Sequence, residues 1–404
     1  MENPTSLPRR HMLAGSAAAL GALGLASWSQ GAQAQAAAPA AAKPLPPLAN
    51  WKDPKAVIVH SSSTLETRRS AFGTSVITPT NQLFVRNNLP APDASILANR
   101  EAWTIAFEGV NAPRSLTLAD LRTLGVETVA TVLQCSGNGR GFFPSKPSGT
   151  PWQVGAAGCV LWSGVPLRNV VLALGGAVDG MVYLTGTGGE KLPEGVDPLT
   201  VVVERSVPIK ALDDALLAWE MNGEPISLAH GGPVRLIVPG YQGVNNVKYV
   251  KRVALTREQS QAGIMAKRYR MTPPGSKGDP SQPSVWEMGV KSWVNGPLSE
   301  QGPLRAGWTQ IHGVAFGGTR AIRGVEVSVD GGKSWHQAQL VGPDLGRFAW
   351  RQFVLPIQLA AGTHVLTSRA TDASGNVQPE SRIDNTGGYN NTSWQDHAVT
   401  VTVA

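Results

Sequence analysis

The chemistry of this chain converges on one stretch, Thr131-Val132-Leu133-Gln134-Cys135-Ser136-Gly137-Asn138-Gly139-Arg140. The apolar, β-branched lead-in predicts a buried strand that ends at Cys135. Small, turn-forming residues follow, and an arginine closes the loop. A thiol at the rigid end of a strand, beneath a Gly/Ser/Asn loop, is placed to ligate a metal. Cys159 is the other cysteine of the chain. A single Cys135–Cys159 disulfide, a ligand thiol beside an unrelated buried cysteine, and two inert buried cysteines are all open on this pattern.

The elements that must position this loop are short. Residues 103–109 alternate as a strand. Thr117 is placed to N-cap a helix over 118–124 that Gly125 closes. Pro166 opens a second helix over 167–174, ended by Gly175-Gly176. Residues 181–185, 200–203, 234–238 and 247–255 read as strands, and 216–227 as a hairpin turning at Asn222-Gly223. Residues 55–69 give no assignment. There is no βαβ rhythm, so the fold class is α+β. After a Pro/Gly-rich stretch at 271–280 the pattern changes. Val325, Val327 and Val329 alternate before an Asp330-Gly331-Gly332 turn, and strands recur at 364–371 and 398–403. That spacing predicts an immunoglobulin-like β-sandwich over 280–404.

Length and composition set the outer limits. A chain of 404 residues accommodates two domains. Its 45 Gly and 30 Pro point to many turns. The net charge of +7 is dispersed, without runs of one sign, which argues against nucleic-acid binding. Pro8-Arg9-Arg10 precedes a weakly hydrophobic Ala/Gly/Leu run, and Ala32-Gln33-Ala34 offers a cleavage site. We read 1–34 as a twin-arginine signal peptide, in preference to an ordinary secretory signal, and 35–50 as an Ala/Pro linker. The apolar run is too short to anchor the chain, so no membrane association is expected. The expected location is the periplasm.

From Leu133-Gln134-Cys135-Ser136-Gly137-Asn138-Gly139-Arg140 onward the sequence resembles the sulfite oxidase family of molybdopterin enzymes. The resemblance extends to Phe84-Val85-Arg86-Asn87-Asn88-Leu89-Pro90, Trp162-Ser163-Gly164-Val165-Pro166-Leu167 and Glu220-Met221-Asn222-Gly223-Glu224-Pro225. It continues through His230-Gly231-Gly232-Pro233-Val234-Arg235 and Asp330-Gly331-Gly332-Lys333-Ser334-Trp335. It implies a molybdopterin-binding catalytic domain over 51–275 and a dimerisation domain over 280–404, hence a homodimer.

The resemblance also implies one molybdenum-molybdopterin per subunit, with Cys135 as the protein's metal ligand. The disulfide reading then recedes, and Cys159 becomes a buried small residue. Arg86 and Arg140 fall on substrate-pocket arginine positions, where a planar guanidinium suits an oxyanion. Tyr269 resembles an active-site tyrosine and Trp152 a pocket-wall tryptophan. His230, Arg235 and Lys248 match positions that hold the pterin's phosphate and pyran ring, and Asn87 and Val247 belong to the same cofactor set. Arg347 is a weaker candidate for an anion contact from the second domain. Asn88 departs from the family, which usually has histidine there; an amide does not titrate near neutrality.

The expected reaction is oxidation of sulfite to sulfate, with electrons passed singly to an external periplasmic c-type cytochrome. No Cys-x-x-Cys-His motif is present, so no haem is expected in this chain. The alternatives are a related molybdenum enzyme acting on sulfane sulfur or on S- or N-oxides, and a secreted β-sandwich binding protein stapled by the disulfide. Metal analysis separates these classes. About one molybdenum per chain is expected, lost in Cys135→Ser. A metal-free protein without a free thiol would identify the binding module.

Overall fold

A computed structural model describes residues 43–404; the signal expected over 1–34, and the linker up to residue 42, lie outside the described residues. The strand leading to the cysteine is Glu127–Gln134. It pairs antiparallel with Ala157–Pro166 in unbroken register, from Glu127 opposite Gly164 to Gln134 opposite Ala157. Alternation along it divides the side chains between two faces. Ala130 and Val132 pack with Phe72, Trp293 and Trp350, whereas Leu133 and Cys135 pack with Trp152 and Trp162.

This alternation overturns the disulfide reading. Cys159 stands opposite Val132 and shares its face, while Cys135 belongs to the other. Both thiols are free. Burial pushes the Cys159 thiol up to about 12, which keeps it neutral and inert.

Two further strands, Leu216–Met221 and Glu224–Pro225, extend this sheet through the expected hairpin. Asn222 and Gly223 take φ of 55° and 81°, the left-handed pair that a tight hairpin turn requires. A second five-stranded sheet runs in the order Arg114–Thr117, Thr104–Glu108, Arg252–Thr256, Tyr183–Thr187, Glu204–Pro208. The main core includes Ile105, Phe107, Leu184, Leu217, Leu236 and Val253. Two short helices close its edges. Leu118–Arg122 has a capping box, in which Asp120 N–H donates to the Thr117 hydroxyl and Thr117 N–H to the Asp120 carboxylate. Leu167–Ala173 follows Pro166.

Two strand expectations change. Residues 200–203 are not a strand; Asp197 caps a helical turn, Pro198–Val201, with Pro198 in its first position, and the strand begins at Glu204. The run 247–255 is extended only from Arg252. Tyr249 takes φ 49°, which breaks the pleat, and Lys248 is buried. The unassigned stretch 55–69 forms a hairpin, Val57–Ser61 with Thr64–Thr67. Its second strand pairs with Val85–Arg86, so this small sheet carries Arg86.

The second half is the expected sandwich of two four-stranded sheets. One contains Lys291–Gly296, Gly307–Phe316, Arg351–Leu359 and Gln339–Val341; the other His336–Gln337, Ile322–Ser328, Gly362–Asp372 and Val399–Val403. Ile311, Val325, Val327, Phe353 and Leu366 fill the space between them. No helix among the described residues is long and apolar enough to cross a membrane.

The sandwich and the catalytic half share a core. Trp293, Phe316 and Trp350 meet Phe72, Val132 and Cys159. The Trp350 indole N–H donates to Val76 O across this junction. Trp350→Ala is expected to destabilise the chain by about 3–5 kcal/mol, through a cavity at this seam. Denaturant unfolding measures it, and a cost below about 1 kcal/mol would mean that the seam is slack.

Candidate active site

Cys135 closes its strand with a built turn. Its N–H donates to Ala156 O at 2.8 Å, and Asn138 N–H donates back to Cys135 O at 2.9 Å. The Asn138 amide bridges Gln134 Oε1 and Ala156 N–H. The turn 240–243 packs directly over this strand end. A Cβ on Gly243 would lie 2.8 Å from Gln134 O, so only glycine allows the approach.

A cleft opens here, between three pieces of chain. Leu133, Cys135 and Ser136 form one wall. Arg86, Asn87 and Asn88 enter from the small sheet. His230, Arg235, Val247 and Lys248 come from the stretch after the hairpin, and Tyr269 stands at the edge. The structure thus brings nine of the expected residues to one cleft: Cys135, Arg86, Asn87, Asn88, His230, Arg235, Val247, Lys248 and Tyr269.

Arg140 and Trp152 stand outside that wall. The Arg140 guanidinium is turned to the carbonyls of Gly387 (2.8 Å) and Thr150 (3.1 Å), and sits 5.4 Å from the Tyr389 ring centre. Tyr389 stacks on Tyr269 at 5.0 Å and 18°. Two stacked phenols therefore stand between Arg140 and the cleft edge at Tyr269. Trp152 is fully buried against Phe84 and His60, a core position behind Cys135. Arg347 pairs with Asp214 at 2.7 Å on the surface, which removes it as an anion contact. The second domain instead approaches the site by its 385–391 loop. Asn390 N–H donates to Ser136 O and the Asn391 amide to Gly139 O.

The electrostatics are dominated by buried cations. Lys248 Nζ donates to Asn87 Oδ1 and Ala229 O, both at 2.5 Å. Burial, then Arg235, holds the Lys248 ammonium well below its ordinary range. Arg235 donates to His230 O and Asn246 O, lies over the Trp162 ring, and is lowered by burial to about 10. His230 is held well below its usual value by burial and by the neighbouring cations. Tyr269 O–H donates to Asn88 Oδ1 at 3.2 Å.

Two residues escaped the sequence reading. Lys52 is buried against His230, in a segment with no periodicity to flag it. Glu190 lines the cleft; burial pushes its carboxyl up to about 7, against the opposing pull of a backbone hydrogen bond, Lys248 and Arg235. An acid after Gly188-Gly189 was its one signal.

Among the described residues, Asn87 Nδ2, Ser136 Oγ and Glu190 Oε2 are buried with no hydrogen-bond partner. All three belong to the cleft wall. Orphaned polar atoms in a native fold call for a ligand or solvent. No group of three or more His, Cys, Asp or Glu gathers as a metal cage among the described residues, so the protein's own offer to a metal here is one thiolate. This donor set fits an anionic, hydrogen-bonding cofactor that brings most of a metal's ligands with it.

A model of the oxidoreductase molybdopterin binding domain matches residues 89–264, and one of the Mo-co oxidoreductase dimerisation domain matches 282–403. The chain is a molybdenum oxidoreductase with a molybdopterin-binding domain followed by a dimerisation domain. It is 31% identical to the sulfite oxidase of Arabidopsis thaliana, over 81% of this chain and 89% of that protein. It is 33% identical to the mitochondrial sulfite oxidase of Mus musculus over 75% of this chain, and spans 57% of that protein. The solved structure of the sulfane dehydrogenase SoxCD from Paracoccus pantotrophus matches with a TM-score of 0.70 at 26% identity, over 86% of this chain and 89% of that one. The chain belongs to the sulfite oxidase family.

Glu190 generates a prediction. Its folded carboxyl holds a proton to about pH 7, against an ordinary value of 4.5. Between those values the native chain binds more protons than the unfolded one, so this group lowers stability as pH rises through the window. Glu190→Gln is expected to raise the melting temperature of cofactor-free protein at pH 8, with little effect at pH 4. Equal shifts at both pH values would refute a buried, proton-holding Glu190.

Proposed function

We propose that this chain oxidises sulfite to sulfate in the periplasm and passes the electrons singly to an external c-type cytochrome. Sulfite and water become sulfate, two protons and two electrons. The observation that carries this reading is the convergence of one thiol, Arg86, Tyr269 and a set of buried cations on a single cleft. Its sulfite oxidase relatives support the choice of substrate.

Molybdenum with its pterin, once held by the Cys135 thiolate, would supply two-electron oxygen-atom transfer. The chain's residues supply the rest. His230, Arg235 and Lys248 would hold the pterin's phosphate, and the orphaned Asn87, Ser136 and Glu190 atoms would bind its polar edges. Val247 keeps this side of the site apolar, and Trp152 packs behind Cys135. Arg86 binds the oxyanion and stabilises the charge that develops on it. Arg140 backs the Tyr389–Tyr269 stack and raises the positive potential at the cleft edge. Asn88 holds the Tyr269 hydroxyl without exchanging a proton near neutrality. Two chains associate through the second domain.

A second reading is oxidation of a sulfane sulfur. Two observations favour it. The SoxCD likeness covers most of both chains. Arg140 also stands behind the cleft wall, which suits a substrate with less charge than sulfite.

Steady-state reduction of cytochrome c by the molybdenum-loaded protein tests the proposal. Sulfite-dependent turnover is expected, and its absence would overturn sulfite as the substrate. Arg86→Met is expected to raise KM for sulfite by roughly 10–100-fold, the loss of a charge-assisted contact. An unchanged kcat/KM would remove Arg86 from the substrate site.

A further inference from the structure

We propose that Lys52 is a positioning residue for His230: its ammonium donates to Nε2 and holds the imidazole in the tautomer that carries its proton on Nδ1. The inference rests on the reading that His230 faces the cofactor's phosphate. Lys52 is 2% exposed and lies just after the linker, on no strand. Three acceptors surround its Nζ: Thr80 O at 2.5 Å, Leu83 O at 2.6 Å and His230 Nε2 at 2.8 Å. An ammonium has three N–H groups and no lone pair, so each proton finds one acceptor. Nε2 must then present its lone pair, and the ring proton sits on Nδ1. With Nε2 taken, Nδ1 is the nitrogen left for a ligand in the cleft that His230 lines.

With the His230 imidazole uncharged, one other arrangement satisfies the same geometry. A neutral lysine would donate to the two carbonyls and accept from a protonated Nε2, leaving Nδ1 as a bare acceptor. The two states differ by one proton. Burial draws Lys52 down to about 6 and keeps His230 uncharged, so the chain by itself is close to the neutral pair. The groups around His230 decide the balance. Lys52, Lys248 and Arg235 all place positive charge on it, and Trp51 meets it edge-on at 5.8 Å. A phosphate dianion in the cleft offsets that repulsion and restores the charged lysine. A phosphate also has only acceptor oxygens facing the ring, so it requires Nδ1–H. Lys52 further ties the loop that leads to Arg86, through Thr80 and Leu83, to the one that carries His230. Two walls of the cleft thus share one ammonium.

The test is the imidazole nitrogen spectrum of oxidised holoenzyme carrying [15N]histidine, with the His230 signals assigned by His230→Asn. The expected result is a protonated Nδ1 and a bare Nε2 in the wild type. Lys52→Met should move the proton toward Nε2. It should also speed loss of molybdenum and pterin through gel filtration by about tenfold, the scale of a lost ligand-orienting partner. A wild-type spectrum with Nε2–H overturns the inference without any variant needing to fold. So does a spectrum that Lys52→Met leaves unchanged. His230→Ala that retains cofactor as firmly as the wild type overturns instead the assignment of His230 to the cofactor, and the two failures are told apart.

Discussion

Basic side chains are buried at this site on a scale that the protein alone cannot keep charged. Lys52, His230, Arg235 and Lys248 lie around one cleft, all less than a tenth exposed. Among the described residues lining the cleft, only Glu190 is an acid, and burial raises its own proton affinity. Removing such charges from water is costly unless partners are supplied. Carbonyls supply part of the need: Ala229 for Lys248, His230 and Asn246 for Arg235, Thr80 and Leu83 for Lys52. What remains is a basic site lined with unpartnered polar atoms. A multiply charged anion with polar edges answers it, and the rest of the architecture serves to hold that site in shape.

The shape comes from one hairpin with two occupied faces. Glu127–Gln134 and Ala157–Pro166 separate the active-site thiol from the core that joins the two halves. The second domain is therefore more than an attachment. It supplies Trp293, on its first strand, and Trp350, just before Arg351–Leu359, behind the hairpin, and its 385–391 loop hydrogen-bonds the turn after Cys135. Lys291, from the first strand of that domain, donates to Asn138 O from a fully buried position. Disturbing the second domain should loosen the thiol's turn, because Ser136 O, Asn138 O and Gly139 O each accept a hydrogen bond from it.

A chain of aromatic rings carries the positions of the more distant arginine. Arg140 rests on Tyr389, Tyr389 on Tyr269, and Tyr269 reaches Asn88. Tyr269 and Asn390 both hold positive φ, 53° and 54°, a strain that surrounding contacts must offset. Such conformations persist where packing over-determines them, and here they flank the cleft edge.

Local patterns in the sequence were sufficient for much of this. The cysteine at a strand end, the N-cap at Thr117, the Asn-Gly hairpin and the alternating valines of the sandwich are short-range signals, and short-range physics decides them. Ordered motifs also identified the family and nine residues of the cleft. Tertiary structure decided what periodicity does not encode. The pleat's handedness of faces set Cys135 apart from Cys159, although both lie in apolar runs. Tyr249 broke an apparently continuous strand so that Lys248 could be buried. Arg347 and Arg140 found an aspartate and two carbonyls that lie more than a hundred residues away in three of four contacts. Lys52 and Glu190 became part of the site only by burial, because a side chain's surroundings, and not its neighbours in sequence, determine where its charge can rest.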